Sequence, residues 1–144
     1  MYQHILIATD GSELSTKGLD QGLKLAKQLG ARVTVITVTD MWASGALAVA
    51  GPATIAEYDE AMHAAVKDIL EEAARFASES GVECETRHIA NRYPADAIVE
   101  TAQELSAGLI VMASHGRRGF RKMLLGSQTT EVLAASTVPV LVVR

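Results

Sequence analysis

The run Met112-Ala113-Ser114-His115-Gly116, followed after nine intervening residues by Gly126-Ser127, holds the densest chemistry in this sequence. Small residues at the end of an apolar run let a ligand approach the backbone closely. Gly126-Ser127 opens a helical pattern, where unpaired amides and a hydroxyl make a ready anion site. Between the two stretches lie Arg117, Arg118, Arg121 and Lys122, four of the chain's 13 basic residues within six positions. Taken singly, a basic stretch is a solvated loop and Ser127 is an ordinary N-cap. Their coincidence behind one strand points instead to a phosphate.

Two further segments leave apolar runs with unusual residues. In Ala8-Thr9-Asp10-Gly11-Ser12, an aspartate can accept from loop amides or hold a divalent cation that bridges phosphates. Gly11 permits a sharp turn, and Ser12 or Ser15 can cap the helix that follows; read alone, Asp10 and Ser12 simply make the turn and the cap. In Ile36-Thr37-Val38-Thr39-Asp40, a main-chain amide and carbonyl could read the edge of a base. An acid there binds ribose in dinucleotide folds, but the glycine fingerprint after the first strand is missing, so Asp40 reads as a loop residue. Other chemistries lack their residues. The sequence has no G-x-x-x-x-G-K-[ST] and no G-x-S-x-G. His4, His63, His88 and His115 show no zinc spacing with the single Cys84. Adjacent side chains seldom meet productively, so Ser114-His115 is not read as a nucleophile and its base.

The elements that must position these residues follow from the hydrophobic pattern. His4–Ala8, Val33–Val38, Leu109–Ala113 and Val138–Val143 are near-continuous apolar runs, as in strands covered on both faces. Val82–Ala90 alternates and belongs nearer an edge. Leu19, Leu23, Ala26 and Leu29 recur at helical spacing, with Gly30 as the stop. Ala61, Ala65, Ile69 and Ala73 form a second ridge, whose start is marked by Glu57, Asp59 and Glu60 at the positive end of the dipole and whose end is Gly81. Pro94 suits a first helical position ahead of Ala95, Ile98, Val99, Ala102 and Leu105. Ser127 caps a last short helix. Ala43–Ala56, rich in Ala and Gly, reads as a loop long enough to cover a crevice. Strands alternating with helices give an open, doubly wound parallel α/β sheet with helices on both faces. Such sheets bind ligands outside the strand carboxyl ends, where the strand order switches.

The bulk properties set bounds. The 144 residues make one domain spanning 1–144, and 49 % hydrophobic residues suffice for a core that 4 % aromatics leave aliphatic. A net charge of −4 argues against nucleic acid. One cysteine fits a reducing, cytoplasmic setting, and no apolar run is long enough for a membrane helix.

Taken together, Ser114-His115-Gly116, nine residues, Gly126-Ser127 and then Val138-Pro139-Val140-Leu141-Val142-Val143 resemble the universal stress protein family. Ile5–Ser12 is similar to the family's opening, Ile110-Val111-Met112 to its fourth strand, and Pro94-Ala95-x-x-Ile98 to its third helix. The resemblance covers the whole chain. It implies a five-stranded parallel sheet in the order 3-2-1-4-5 of the adenine nucleotide alpha hydrolase-like kind. It also implies a homodimer paired through the last strand, Val138–Val143. Nucleotide-binding members carry Gly-x-x-Gly, nine residues, then Gly followed by Ser or Thr; here Gly116, Gly126 and Ser127 fit and Ala113 replaces the first glycine. By resemblance, Asp10 sits near the phosphates of ATP, ADP or AMP or their Mg²⁺, Val38 main chain contacts adenine, and Ala8 and Thr9 line base and ribose. Gly116, Gly126, Ser127, Gln128 and Thr129 hold ribose and phosphates, with Met112, Ala113 and His115 in the same set. Arg117 and Arg118 join on charge alone. The implied role is an adenine-nucleotide-binding module of stress response or signalling, with hydrolysis slow at most. A nucleotide-free dimer acting through protein partners is the alternative.

Overall fold

The computed structural model describes residues 1–40, 52–116 and 125–144. The chain runs β1 (His4–Ala8), α1 (Glu13–Leu29), β2 (Arg32–Val38), α2 (Pro52–Ser80), β3 (Cys84–Ile89), α3 (Pro94–Glu104), β4 (Leu109–Ala113), α4 (Ser127–Ala135) and β5 (Val140–Val143). All strand pairs are parallel, in the order β3-β2-β1-β4-β5. The direction of crossover reverses between β1 and β4, so the topological switch point lies where their carboxyl ends diverge.

Side-chain alternation splits each central strand between two cores. Ile5, Ile7, Val33, Val35, Leu109 and Val111 face α1 and α2, meeting Leu19, Leu23, Ala26, Ala73 and Ala77. Leu6, Ile36, Ile110 and Met112 face α3 and α4, meeting Ala95, Ile98, Ala102 and Val132. Burial on both sides explains why these strands read as apolar runs without alternation. Each fully buried aliphatic side chain contributes about 1.5–3 kcal/mol. The fit is tightest where α1 crosses β1: a Cβ on Gly22 would stand 2.5 Å from Cδ1 of Ile7.

Local chemistry sets most boundaries. Ser12 caps α1 by accepting from Ser15 N–H, and Gly30 ends it with φ at +65°. Pro94 opens α3. Four expectations change. Helix α2 begins at Pro52, so 52–56, expected as loop, are helical, while 41–51 lie outside the described residues. Proline suits a helix start, and the early start moves Glu57, Asp59 and Glu60 beyond the first turn, away from the dipole's positive end. Strand β3 starts two residues late, because Val82 N–H still bonds Ala77 O in the turn that ends α2. Strand β5 starts at Val140: Val138 N–H is held by Ser136 Oγ, and Pro139 has no N–H to give. Leu29, which shares the helical spacing of Leu19, Leu23 and Ala26, is 49 % exposed at the end of α1, while those three are buried.

Strand β3 lies at one edge of the sheet, as its alternation implied; the other edge is β5, an apolar run that reads as covered on both faces but is only partly buried. On β3, Glu85 and Arg87 pair with one another at 2.8 Å, and such charges discourage further strand addition. Cys84 begins that strand; burial pushes its thiol up, which keeps it protonated and poorly nucleophilic. Among the described residues, no helix is long and apolar enough to cross a membrane.

Candidate functional site

The β1–α1 turn is built by its own hydroxyls and one carboxylate. Thr9 Oγ1 lies 3.0 Å from Ser15 Oγ and accepts from Gly11 N–H at 3.3 Å. Asp10 Oδ1 accepts from Ser12 N–H at 2.9 Å, and Gly11 takes φ of +77°, a conformation that favours glycine. The other carboxylate oxygen faces the loop leaving β4. A Cβ on Gly116 would stand 2.8 Å from Asp10 Oδ2, so the two loops touch only because position 116 has no side chain. Asp10 and Gly116, 106 positions apart, thus meet above the switch point.

Helix α4 begins against the same strand end. Gly126, not Ser127, occupies the N-cap, and it has no side chain to bond the first turn. Ser127 therefore stands at the first helical position, with its side chain exposed. Gly126 N–H is taken by Ser114 O at 2.7 Å, which removes it from the expected phosphate donors. Position 126 also needs glycine, since a Cβ would sit 3.2 Å from Ser114 O and 3.4 Å from His115 Cα. The next three amides, of Ser127, Gln128 and Thr129, have no acceptor within the helix, whose first internal bond runs from Thr130 N–H to Gly126 O.

Two predicted ligand side chains are used by the fold. Thr129 Oγ1 is buried and reaches Ala113 O at 2.9 Å and Ser114 O at 3.1 Å, clamping α4 onto β4. Gln128 Oε1 accepts from Ala95 N–H at 3.0 Å and so caps the start of α3. Only their amides face outward from the helix start. Arg117 and Arg118, with Arg121 and Lys122, lie outside the described residues.

Val38 stands one strand away. The last rung between β1 and β2 is Thr9 N–H to Ile36 O at 3.0 Å. Strand alternation turns the Val38 amide and carbonyl to that same side, past the last rung, while Thr39 N–H turns the other way to Ile89 O. The main chain of Val38 is thereby presented above the end of β1, with Ala8 and Thr9 beneath it. Ala113 is 6 % exposed, and its alternation with Leu109 and Val111 points its methyl toward α1, where Gly18 approaches its backbone nitrogen. Met112 points the other way, into the α3 and α4 core.

One contact departs from expectation. Ser114 Oγ and His115 Nδ1 lie 3.0 Å apart, although adjacent side chains seldom meet. Sequence spacing carried no signal for this pair, nor for Ser15 as a support of the Asp10 turn. Asp40, expected as a loop residue, borders a small cavity with Thr39, Tyr58, Asp59, His63 and His88 on the α2 face. His88 Nε2 meets Thr39 Oγ1 there at 3.0 Å, and burial with the adjacent His63 holds its pKa below the ordinary value. A larger cavity, about 440 Å³, opens between β3 and α3; its Arg87 and Arg92 are paired to Glu104 and Glu100. Neither cavity lies at the β1/β4 switch. Among the described residues, no group of three or more acidic, histidine or cysteine side chains is placed to hold a metal ion.

The family model of the universal stress protein family matches residues 1–144. The chain belongs to the universal stress protein family. This universal stress protein is 37 % identical to universal stress protein YxiE of Bacillus subtilis, over the full length of both. Its fold is similar to the solved structure of MJ0577 from Methanocaldococcus jannaschii, with a TM-score of 0.86, 26 % identity, and coverage of 99 % of this chain and 96 % of that one. It is also similar to a universal stress protein crystallised in complex with cAMP, with a TM-score of 0.72, 27 % identity, and coverage of 99 % and 97 %. The sheet order is that of the adenine nucleotide alpha hydrolase-like fold.

Proposed function

We propose that this universal stress protein binds an adenine nucleotide across the carboxyl ends of β1, β2 and β4, as a module of stress response or signalling. The observation that carries the reading is the meeting of three unlike features at one switch point. These are the Asp10–Gly116 contact, the outward amides of Ser127, Gln128 and Thr129, and the main chain of Val38 beyond the last rung. Amides at a helix start favour phosphate. A main-chain amide and carbonyl pair suits a base edge, and Ala8 and Thr9 leave a small, flat floor between them. The relative bound to cAMP supports the ligand class.

In this reading Gly116 admits the ribose and phosphates, and Ser127 adds an exposed hydroxyl to the three amides. His115 completes the anion site, the charges of Arg117 and Arg118 favour phosphate, and Gly126 keeps the helix start against the strand. Asp10 would meet the phosphates through Mg²⁺, which supplies charge neutralisation when bound. The methyl of Ala113, directed toward α1, leaves the phosphate side open, which favours binding over the nucleotide-free alternative. Turnover in this reading is slow at most, since among the described residues no side chain stands ready to activate water. The unpaired edge of β5, with Leu141 39 % exposed, suits a homodimer joined strand to strand. One domain over 1–144, in the cytoplasm, fits the extent of the family match and the single thiol.

Calorimetric titration of the purified protein with ATP, with and without Mg²⁺, tests the reading. Saturable binding in the micromolar range supports it. No heat and no thermal shift at millimolar nucleotide overturn it in favour of a nucleotide-free dimer.

A further inference from the structure

Ser114 and His115 form a pair whose proton arrangement can be worked out from what surrounds them. Ser114 is 2 % exposed, and its Oγ finds one partner among the described residues, His115 Nδ1 at 3.0 Å. At the other end of the imidazole, Nε2 is buried and finds no partner among the described residues. Two arrangements are open. If Nδ1 carries the proton, the ring donates to Ser114 Oγ; the serine proton is then left buried without an acceptor, and Nε2 is left as an unmet acceptor. If Ser114 donates to Nδ1, only one group is left unmet, the N–H at Nε2. Leaving a buried polar group unmet is costly, so the second arrangement, with fewer of them, prevails.

The edge of the ring that carries Nε2 faces the start of α4. Its neighbouring carbon, Cδ2, would lie 3.8 Å from a Cβ on Gly126, the N-cap of that helix. That ring edge is the one turned toward the helix end that carries the amides of Ser127, Gln128 and Thr129. The Nε2–H and these amides are all donors, and what they lack is an acceptor. We infer that Ser114 is a positioning residue, which fixes His115 as the Nε2–H tautomer so that the ring donates to a phosphate oxygen held at the start of α4. This rests on the nucleotide-binding reading and goes beyond it. It assigns the ring to phosphate rather than to base or ribose. It also excludes a role for this nitrogen as a ligand to the phosphate-bound cation, because a protonated nitrogen cannot coordinate a metal.

The test is a long-range proton–nitrogen spectrum of the full chain labelled in histidine, with His115 identified by the signals lost in His115→Gln. The expected result is an unprotonated Nδ1 and a protonated Nε2 in the free protein at neutral pH, with the Nε2–H signal moving on addition of ATP and not of adenosine. Ser114→Ala should mix the two tautomers and weaken ATP about tenfold, the loss of one charge-assisted hydrogen bond, while adenosine binding stays the same. Ser114→Thr, which keeps the hydroxyl, should restore the tautomer and the affinity. A wild-type ring with its proton on Nδ1 overturns the inference, with ATP binding still intact. So does an Nε2 signal that responds to adenosine as strongly as to ATP. If ATP fails to bind a chain whose Nε2 is protonated, the nucleotide reading falls and the phosphate acceptor falls with it.

Discussion

Gly116→Ala is the most informative single perturbation, because its effect follows from one measured approach. The added Cβ would lie 2.8 Å from Asp10 Oδ2, against an ordinary contact of 3.4 Å or more. Gly116 does not use a positive φ, so the backbone accepts alanine without strain and the collision is the whole effect. The carboxylate must retreat by about half an ångström, and it is tethered by Oδ1 to Ser12 N–H at 2.9 Å. Stretching that charge-assisted bond costs about 1 kcal/mol of stability, a fraction of the roughly 1.5–3 kcal/mol that such a bond contributes. If Asp10 and Gly116 face the phosphates, the displaced carboxylate and the new methyl together weaken ATP with Mg²⁺ about tenfold. Stability is read from urea unfolding and affinity from calorimetry, so the two losses separate. Asp10→Asn serves as the control for charge alone. A Gly116→Ala protein that binds ATP within about twofold of wild type would refute the reasoning, whatever its stability.

Three other outcomes follow from the structure. Gly22→Ala drives a Cβ to 2.5 Å from Ile7 Cδ1 in a fully buried site. Overpacking of about 1–3 kcal/mol should exceed the helix-propensity gain of about 0.8–1 kcal/mol, giving a lower urea midpoint; an unchanged or higher midpoint would contradict the tight α1–β1 fit. Gln128→Ala removes the acceptor of Ala95 N–H and should cost about 1 kcal/mol while leaving ATP affinity unchanged, since only the amide of residue 128 faces the ligand; a tenfold loss of affinity would return the side chain to the site. His4 and His88 both have folded pKa values lowered from 6.5, His4 chiefly by burial and then by Arg32, His88 by burial and then by His63. The unfolded chain then binds more protons, so stability is full above about pH 6.5 and falls as the pH drops through the folded pKa values. Denaturation midpoints measured from about pH 7.5 to 5 should decline, and His4→Gln should flatten part of that decline; a rise on acidification would reverse the sign.

The sheet was legible because burial on both faces leaves runs such as Leu109–Ala113 with no polar interruption. The weak alternation of β3 marked it correctly as an edge. Boundaries were less legible where one residue type serves two purposes. Pro52 with its neighbouring alanines opens a helix, yet the same composition reads as loop beside Gly45 and Gly51. At the site, sequence identified the segments but not how each polar atom is used. Thr129 and Gln128 entered as ligands through the family resemblance, and the fold spends their side chains on Ala113, Ser114 and Ala95 instead. The cap fell one residue early because Ser114 O takes the Gly126 amide, a contact between residues 12 apart that no local pattern encodes. The approach of Gly116 to Asp10 is likewise a product of topology.

Residue-by-residue amide shifts on titration with ATP and Mg²⁺ test the central claim most directly. The largest changes are expected at Val38, Gly116, Ser127, Gln128 and Thr129, with Gly126 changing less because its N–H is already bound to Ser114. Saturable changes centred instead on Arg87, Arg92 and Glu100 between β3 and α3, or none at millimolar nucleotide, would contradict it.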